Sequence, residues 1–213
     1  MDLRFIHPFT KVVAGPTSCG KSVYVEKLIT NGLKCTNVDF DEILWCYSEW
    51  HPQIPGLGSK IKYVIGLDNI ERENHIKSRL LVIDDLMRES DSTVVDLFTK
   101  GSHHKNTSVV FITQNVFHQG KGQRDISLNA HYMTLFKNPR DAAQIAHLAR
   151  QIYPSDPKFI QDAYKDATSR PHGYLLFDLK QATPDKCRIR TNVFGEHSPG
   201  FPVVYVPKNK SKK

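Results

Sequence analysis

The sequence Gly15-Pro16-Thr17-Ser18-Cys19-Gly20-Lys21-Ser22 matches the pattern G-x-x-x-x-G-K-[ST] in full. Glycines let the backbone wrap closely around phosphate oxygens, and successive N–H groups then form a nest for an anion. A strand-like run at residues 11–14 precedes this stretch, and an amphipathic run at 22–33 predicts a helix after it. The order of strand, glycine-rich loop and helix indicates a phosphate-binding loop rather than an ordinary glycine turn.

Within this loop, two side chains have distinct predicted roles. Lys21 should reach the β- and γ-phosphates of a nucleotide, and the Ser22 hydroxyl should coordinate Mg²⁺. The positive end of the helix dipole adds to the attraction for phosphate. The cofactors expected are therefore ATP and Mg²⁺, with GTP left open as the nucleotide. The predicted nucleotide-binding residues are Gly15, Pro16, Thr17, Ser18, Cys19, Gly20, Lys21 and Ser22.

A second motif is the run LLVIDD at residues 80–85. Its continuous apolar residues are typical of a strand buried on both faces, as in a parallel sheet. Asp84 is predicted to hold Mg²⁺, usually through water, and Asp85 to orient or deprotonate the attacking water. Acidic residues after an apolar strand are common in general, so this interpretation depends on the phosphate-binding loop upstream.

Three residues farther along the chain are candidates for sensing or stabilising the transferred phosphoryl group. Gln114 follows a fully apolar strand at 108–113, where its amide could position water or sense the departure of the γ-phosphate. Arg140 or Arg124 could supply a guanidinium to a neighbouring subunit, and we select Arg140 as the candidate. The alternatives are a polar loop residue for Gln114 and surface arginines for the other two. The predicted catalytic residues are Lys21, Asp85, Gln114 and Arg140.

Strand-like and helical patterns alternate along most of the 213 residues. This alternation predicts an α/β fold with a mostly parallel sheet and helices on both of its faces. Residues 1–198 are expected to form a single ATPase domain, and residues 199–213 an extended basic tail. Further strands are predicted at 43–47, 62–65, 132–136, 173–177 and 189–193, and further helices at 71–78, 92–100, 141–151 and 157–167.

The composition restricts the partners and the compartment. A net charge of +7 and a pI of about 9.2 suit a polyanionic partner such as nucleic acid. No apolar run approaches the roughly 20 residues that span a bilayer, and the N-terminus lacks a secretory signal pattern. The four cysteines form no C-x-x-C pair, which favours reduced thiols inside a cell over a zinc or redox site. We therefore expect an intracellular protein without a membrane partner.

Taken together, the quoted motifs resemble the FtsK/HerA superfamily of DNA-pumping ATPases. The resembling segments are GPTSCGKS at 15–22, LLVIDDL at 80–86 and FTKGSHHKNTSVVFITQN at 98–115. The likeness is greatest to genome-packaging ATPases of poxvirus-type large DNA viruses and of Maverick/Polinton elements (adintoviruses). LFKNPRDAAQIAHLARQ at 135–151 is similar to the segment that follows in the Maverick-type proteins. A glutamine at the position of Gln114 is typical of the superfamily, whereas many relatives carry glutamate at the position of Asp85.

The resemblance implies a RecA/FtsK-like fold and a ring-shaped motor that drives double-stranded DNA into a capsid. It implies nucleotide contacts for Lys21 and Ser22, metal binding for Asp84, water activation for Asp85 and a sensor role for Gln114. The implied partners are double-stranded DNA, further copies of the chain in a ring, and capsid or portal proteins. Such a motor would act at the site of virus assembly, with the host nucleus and cytoplasm both left open.

Two other classes of function share the phosphate-binding loop. A small-molecule or nucleoside kinase is the principal alternative, although the run QGKGQR at 119–124 has a single arginine and resembles an arginine-rich lid poorly. A non-catalytic nucleotide switch is the other. The pair Asp84–Asp85 argues against a switch, because a switch does not need a residue poised to activate water.

Overall fold

The computed structural model of the chain describes residues 2–48, 60–67, 77–84, 86, 91–101, 106–115, 121–140, 142–196 and 202–208. These residues form nine strands in one sheet, together with five α-helices. The strands are β1 (Thr10–Ala14), β2 (Glu42–Tyr47), β3 (Ile61–Ile65), β4 (Arg79–Asp84), β5 (Thr107–Thr113), β6 (Tyr132–Phe136), β7 (Tyr174–Asp178), β8 (Ile189–Thr191) and β9 (Val203–Tyr205). The helices are α1 (Lys21–Asn31), α2 (Asp91–Asp96), α3 (Lys121–Leu128), α4 (Ala142–Ile152) and α5 (Pro157–Ala167).

The strand order is β3-β2-β4-β5-β1-β6-β7-β8-β9. Strands β1 to β6 run parallel to one another, and β7 to β9 add an antiparallel extension at one edge. The central strands are buried along their whole length, including every residue of β1, β5 and β6. Their apolar side chains face both sides of the sheet, which explains why these runs do not alternate with polar residues.

Two apolar layers cover the two faces of the sheet. On one face, α1 packs through Tyr24, Val25 and Leu28 against alternate residues of the parallel strands. On the other face, α2 to α5 pack through side chains that include Val94 and Ile160. The fold is therefore the three-layer α/β arrangement expected from the sequence.

The predicted elements can be compared with the observed ones. Each predicted strand is present within two residues of its expected bounds, and so are the helices at 22–33, 141–151 and 157–167. The helix expected at 92–100 is α2 followed by a π-helical turn, Leu97–Gly101. The helix expected at 71–78 lies almost entirely outside the described residues.

Two elements were not predicted from the sequence. Helix α3 has a short amphipathic pattern. Its Ile126 side chain is buried in the apolar layer that this helix faces. Strand β9 lies inside the segment 199–213 that was assigned to an extended tail, and it pairs antiparallel with β8. Part of that segment therefore belongs to the sheet rather than extending freely from it.

Candidate active site

The phosphate-binding loop joins β1 to α1 in a conformation that its glycines permit. Gly20 has φ of 106°, a left-handed conformation that favours glycine, and α1 begins at the next residue. A Cβ atom on Gly15 would lie 2.7 Å from both the Sγ of Cys19 and the Cβ of Phe136. The first glycine is thus required by close packing and the second by backbone geometry. The loop consequently has the shape that the sequence pattern predicts.

Lys21 holds its ammonium group against the inside of the loop. Its Nζ donates hydrogen bonds to the carbonyl oxygens of Gly15 and Pro16, at 2.8 and 3.0 Å. A cation so placed faces the space enclosed by the loop, where an anionic ligand would be attracted to it. The predicted phosphate-contacting lysine is therefore already oriented by the loop it belongs to.

Asp84 is the last residue of β4 and faces the same region. The carboxyl ends of parallel strands meet at one edge of the sheet, and β5 separates β4 from β1. Asp84 is 7% exposed and accepts a hydrogen bond at 3.3 Å from the indole N–H of Trp45 on β2. The sheet therefore delivers this carboxylate to the phosphate-binding loop in a fixed orientation.

Gln114 follows β5, the strand between the loop and Asp84. The N–H of Gly15 donates to the carbonyl oxygen of Thr113 at 3.2 Å, which ties the end of β5 to the start of the loop. The next residue after Gln114, Asn115, accepts a hydrogen bond at 2.6 Å from the side chain of Gln144 on α4. Gln114 is exposed and lines the same cavity as Lys21 and Asp84, and its sensor role stays a prediction.

These groups line one cavity of about 620 Å³. The cavity brings the adjacent residues Lys21 and Ser22 together with Asp84 and Gln114, which lie far from them in the sequence. Its volume falls in the range of pockets that hold small ligands. The cavity lining comprises Thr17, Ser18, Gly20, Lys21, Ser22, Val23, Tyr24, Lys27, Asp84, Ile112, Gln114, Phe136, His172, Tyr174 and Glu196.

The oxygen ligands in this cavity fit Mg²⁺. The Ser22 hydroxyl and the Asp84 carboxylate are hard oxygen donors, and Mg²⁺ is typically held by one or two such protein groups plus water and substrate phosphates. Among the described residues, no cluster of three or more His, Cys, Asp or Glu side chains forms a closed metal cage. An open site that a phosphate would complete is consistent with this donor set.

Eight lining residues were not predicted from the sequence, and three of them come from the C-terminal part of the fold. His172, Tyr174 and Glu196 come from the turn before β7, from β7 itself and from the loop after β8. The Nδ1 of His172 lies 3.1 Å from the carbonyl oxygen of Cys19, so this turn contacts the phosphate-binding loop directly. These residues belong to no sequence motif. They reach the cavity through the antiparallel pairing of β7 with β8 and through the turn before β7, which no local sequence pattern indicates.

The other candidate catalytic residues are Asp85 and two arginines. Asp85, the predicted water activator, lies outside the described residues. Arg140 is exposed in the turn after β6, where its N–H donates to the Asn138 side chain at 3.2 Å. Arg124 is exposed on α3. Within the described part of the chain, the cavity lining includes neither arginine.

Cys19 is a neutral thiol rather than a nucleophile. Burial raises the pKa of the Cys19 thiol, and the nearby Lys21 ammonium opposes that shift only in part. A thiolate would be needed for cysteine catalysis. The described cysteines are all free, as the sequence predicts.

The fold is similar to that of solved NTPase structures. The genome packaging NTPase B204 from Sulfolobus turreted icosahedral virus 2, in complex with ATP-gammaS, superposes with a TM-score of 0.59 at 14% sequence identity. The alignment covers 90% of this chain and 98% of that one. This chain has the α/β fold of a P-loop NTPase.

A second structure of B204, in complex with AMPPCP, gives a TM-score of 0.56 at 13% identity. It covers 86% of this chain and 96% of that chain. No protein-family model matches the sequence, and no curated protein matches it either. The similarity that places the chain among P-loop NTPase folds is therefore structural, and it extends over nearly the whole chain.

None of the helices in the described part of the chain has the length and apolar character needed to cross a bilayer.

Proposed function

We propose that this protein is an ATPase of the FtsK/HerA type that drives double-stranded DNA into a viral or virus-like capsid. One observation supports this most strongly: Lys21, Asp84 and Gln114 surround a single cavity at one edge of the sheet. The fold that arranges them extends over 98% of the chain of a viral genome packaging NTPase. This ATPase would act inside the cell, where virus particles assemble.

In this proposal each group at the sheet edge has one task. The Lys21 ammonium would contact the β- and γ-phosphates, and Ser22 and Asp84 would hold Mg²⁺, which would reduce the negative charge on the phosphate oxygens. Water attacks the γ-phosphorus while the bond to the leaving ADP oxygen breaks. The proton of that water passes to the Asp85 carboxylate, and the Gln114 amide orients the water.

The proposed DNA partner is supported by charge. A chain with a net charge of +7 can neutralise phosphates and release their counterions, so binding to DNA should weaken steeply as salt rises. Such binding does not depend on base sequence, which suits a motor that must move along any genome. Capsid or portal proteins would receive the DNA.

The decisive experiment measures ATP hydrolysis by the full chain with and without double-stranded DNA. We expect DNA to stimulate hydrolysis, with the stimulation declining as salt is raised from 50 to 200 mM. Lys21→Ala should hydrolyse no ATP under either condition. A phosphoryl transfer to a nucleoside or other small acceptor, with no response to DNA, would instead establish a kinase and contradict the proposal.

A ring is proposed because the transferring phosphoryl group needs more positive charge than its own loop supplies. The transition state spreads charge over three equatorial oxygens, and a further cation there contributes several kcal/mol. Arg140 is exposed in the turn after β6 and is not part of the described lining of its own cavity. We place it at the nucleotide of the neighbouring subunit.

Mixed rings test this assignment. Arg140→Ala should bind ATP normally and hydrolyse it poorly, whereas Arg150→Ala, an exposed arginine on α4, should behave as the wild type does. Mixing Arg140→Ala with Lys21→Ala should restore partial activity, because one subunit keeps an intact loop and its neighbour keeps the arginine. No recovery in mixed rings that have demonstrably formed would refute the action of Arg140 across the subunit boundary.

A further inference from the structure

The cavity extends well past the phosphate-binding loop, and its far end is built from residues with no role in phosphate chemistry. Val23 and Lys27 stand four residues apart on α1, so they share one face of the helix, and both line the cavity. Tyr174 and Glu196 line it from the antiparallel part of the sheet and the loop beyond β8. The first two turns of α1 thus form one wall of the cavity. Residues of β7 and of the loop after β8 form the other.

The direction of a bound nucleotide follows from these positions. Lys21 marks the phosphate end, and Lys27 lies six residues later on the same helix, about 9 Å farther along its axis. A nucleoside that extends from the loop along the first turns of α1 would reach the end that Lys27 and Glu196 line. A carboxylate here is separated from the phosphates, which it would otherwise repel.

Glu196 is held in a defined orientation at that end. The Tyr174 hydroxyl donates to its two carboxylate oxygens, at 3.2 and 3.4 Å, and itself accepts the N–H of Val193 at 2.9 Å. The Lys27 ammonium lies 3.7 Å from one of those oxygens. The Glu196 side chain is 17% exposed, so it is largely withdrawn from water yet open to the cavity.

The protonation of Tyr174 supports this arrangement. Burial, together with the nearby Tyr24 and Glu196, raises the pKa of the Tyr174 hydroxyl above its ordinary range. The hydroxyl therefore stays protonated and keeps its role as a donor. A donor that cannot ionise fixes the carboxylate and leaves part of its acceptor capacity, about four lone-pair sites, for a ligand.

We propose that Glu196 recognises the sugar of the nucleotide, its two carboxylate oxygens accepting hydrogen bonds from the 2′- and 3′-hydroxyls of ribose. A vicinal diol offers two donors at a spacing that matches the two oxygens of a carboxylate, and acidic side chains bind ribose in this way in dinucleotide-binding folds. The proposal rests on the proposed function, because it assumes a nucleoside triphosphate held by the phosphate-binding loop. Glu196 is then a specificity residue that separates ribonucleotides from deoxyribonucleotides.

The test compares the dissociation constants of ATP, 2′-deoxy-ATP and 3′-deoxy-ATP for the full chain in the presence of Mg²⁺. Each lost hydrogen bond to a charged acceptor should weaken binding roughly tenfold or more. In Glu196→Ala the three nucleotides should bind within about threefold of one another, because no acceptor remains to distinguish them. Glu196→Gln, which keeps the shape of the side chain, should discriminate less than the wild type.

The ratio of the dissociation constants isolates the sugar contact from other effects of the substitution. Removing Glu196 also removes a negative charge and frees Lys27, which should tighten the binding of all three nucleotides equally and leave the ratio unaffected. Glu26→Ala is the matched control, since it removes a carboxylate from α1 that is not part of the described cavity lining. It should keep the discrimination of the wild type.

Failure of this inference and failure of the proposed function give different results. If the wild type binds ATP and 2′-deoxy-ATP equally well and Lys21→Ala binds neither, the sugar contact is refuted while the nucleotide site stands. The same holds if Glu196→Ala keeps its discrimination against the deoxy sugars but loses a preference among bases, which would assign the carboxylate to a base amine. If the wild type binds no nucleotide, the proposed function itself is wrong.

Discussion

Strands β1 to β6 run parallel, and β1 leads into the phosphate-binding loop, whereas β7 to β9 run antiparallel and form one edge of the sheet. Each region has a buried aspartate as the last residue of a strand. In the parallel region, Asp84 at the end of β4 accepts the indole N–H of Trp45 and faces the cavity. In the antiparallel region, Asp178 at the end of β7 forms an ion pair with Arg190 on β8.

The two aspartates are almost equally buried, at 7% and 5% exposed, yet their surroundings differ. The guanidinium of Arg190 lies 2.5 Å from the Asp178 carboxylate and also donates to the carbonyl oxygen of Leu3 at 2.6 Å. The Asp178 carboxylate, enclosed in this way, stabilises the fold. Asp84, facing the cavity, is placed to interact with a ligand. We therefore expect substitutions in the parallel region to reduce activity and substitutions at the antiparallel ion pair to reduce stability.

The largest effect should come from Lys21→Ala in the parallel region. It removes the cation that faces the phosphates, so ATP turnover should fall by at least roughly a thousandfold. The free energy of unfolding should change little, because the Lys21 ammonium contacts only carbonyl oxygens of its own loop among the hydrogen bonds described. Steady-state hydrolysis and urea denaturation of the same variant measure both quantities. Turnover at the wild-type level would show that the loop does not bind the reacting phosphates.

Asp178→Ala should produce the opposite pattern in the antiparallel region. It leaves the buried Arg190 guanidinium without its carboxylate, which typically lowers the free energy of unfolding by about 3–5 kcal/mol. Asp185→Ala is the matched control, since it removes a carboxylate that is 85% exposed and pairs with Arg188 on the surface, and it should cost less than about 1 kcal/mol. Urea denaturation measures both. Equal losses in the two variants would mean that the buried ion pair does not stabilise the antiparallel region.

The parallel region could be predicted from the sequence almost completely. Its strands are short continuous apolar runs, such as those at 80–83 and 108–113, and burial on both faces leaves that pattern in any parallel sheet. The phosphate-binding loop fixes where the first strand ends. The antiparallel extension was predicted less well, because β9 contains only three residues between prolines and its partner is another short strand.

The same difference applies to the site. Four site residues belong to a motif or lie at the end of a strand, so their position at one edge of the sheet could be predicted. The structure brings all four to one cavity: Lys21, Ser22, Asp84 and Gln114. Glu196 could not be predicted in this way. It stands in a loop without a motif, and it reaches the cavity only because β7 and β8 pair antiparallel and return the chain to α1.

Lys11, on β1 in the parallel region, is a further buried titratable side chain. Its Nζ donates to the Thr134 hydroxyl at 2.8 Å and lies 4.4 Å from the centre of the Phe5 ring. Burial lowers the pKa of Lys11 well below its usual value, and the Arg190 charge lowers it further, while Asp178 and Cys35 oppose the shift. At pH values between this lowered pKa and the ordinary pKa of lysine, the folded chain binds fewer protons at Lys11 than the unfolded chain does.

This difference makes stability depend on pH. Because the unfolded chain binds more protons in that range, Lys11 makes the free energy of unfolding rise with pH from its lowered folded-state pKa up to about 10.4, by at most about 1.4 kcal/mol per pH unit. Lys11→Met removes the titrating amine, so its stability should rise less steeply between pH 7.5 and 9.5. Lys60→Met, which replaces an exposed lysine, should retain the slope of the wild type. Urea denaturation at several pH values gives the slopes, and parallel curves for all three proteins would show that Lys11 is charged in the folded chain.

The smallest effect that we predict concerns the orientation of Asp84. Trp45→Phe keeps a large ring in the sheet but removes the N–H that holds one carboxylate oxygen at 3.3 Å. A metal-binding carboxylate that loses such a hydrogen bond holds its ion less tightly. We therefore expect the Mg²⁺ concentration that gives half-maximal ATP hydrolysis to rise up to roughly tenfold. Hydrolysis at saturating Mg²⁺ should fall less, because Lys21 and the loop are intact. Any core substitution also loosens packing, so Leu44→Val, on the same strand but facing the other side of the sheet, serves as the control and should leave the Mg²⁺ dependence unchanged. An equal Mg²⁺ dependence in Trp45→Phe and the wild type would mean that the indole does not orient the metal-binding carboxylate. Asp84 would then resemble the structural carboxylate of Asp178 more closely than its position in the cavity suggests.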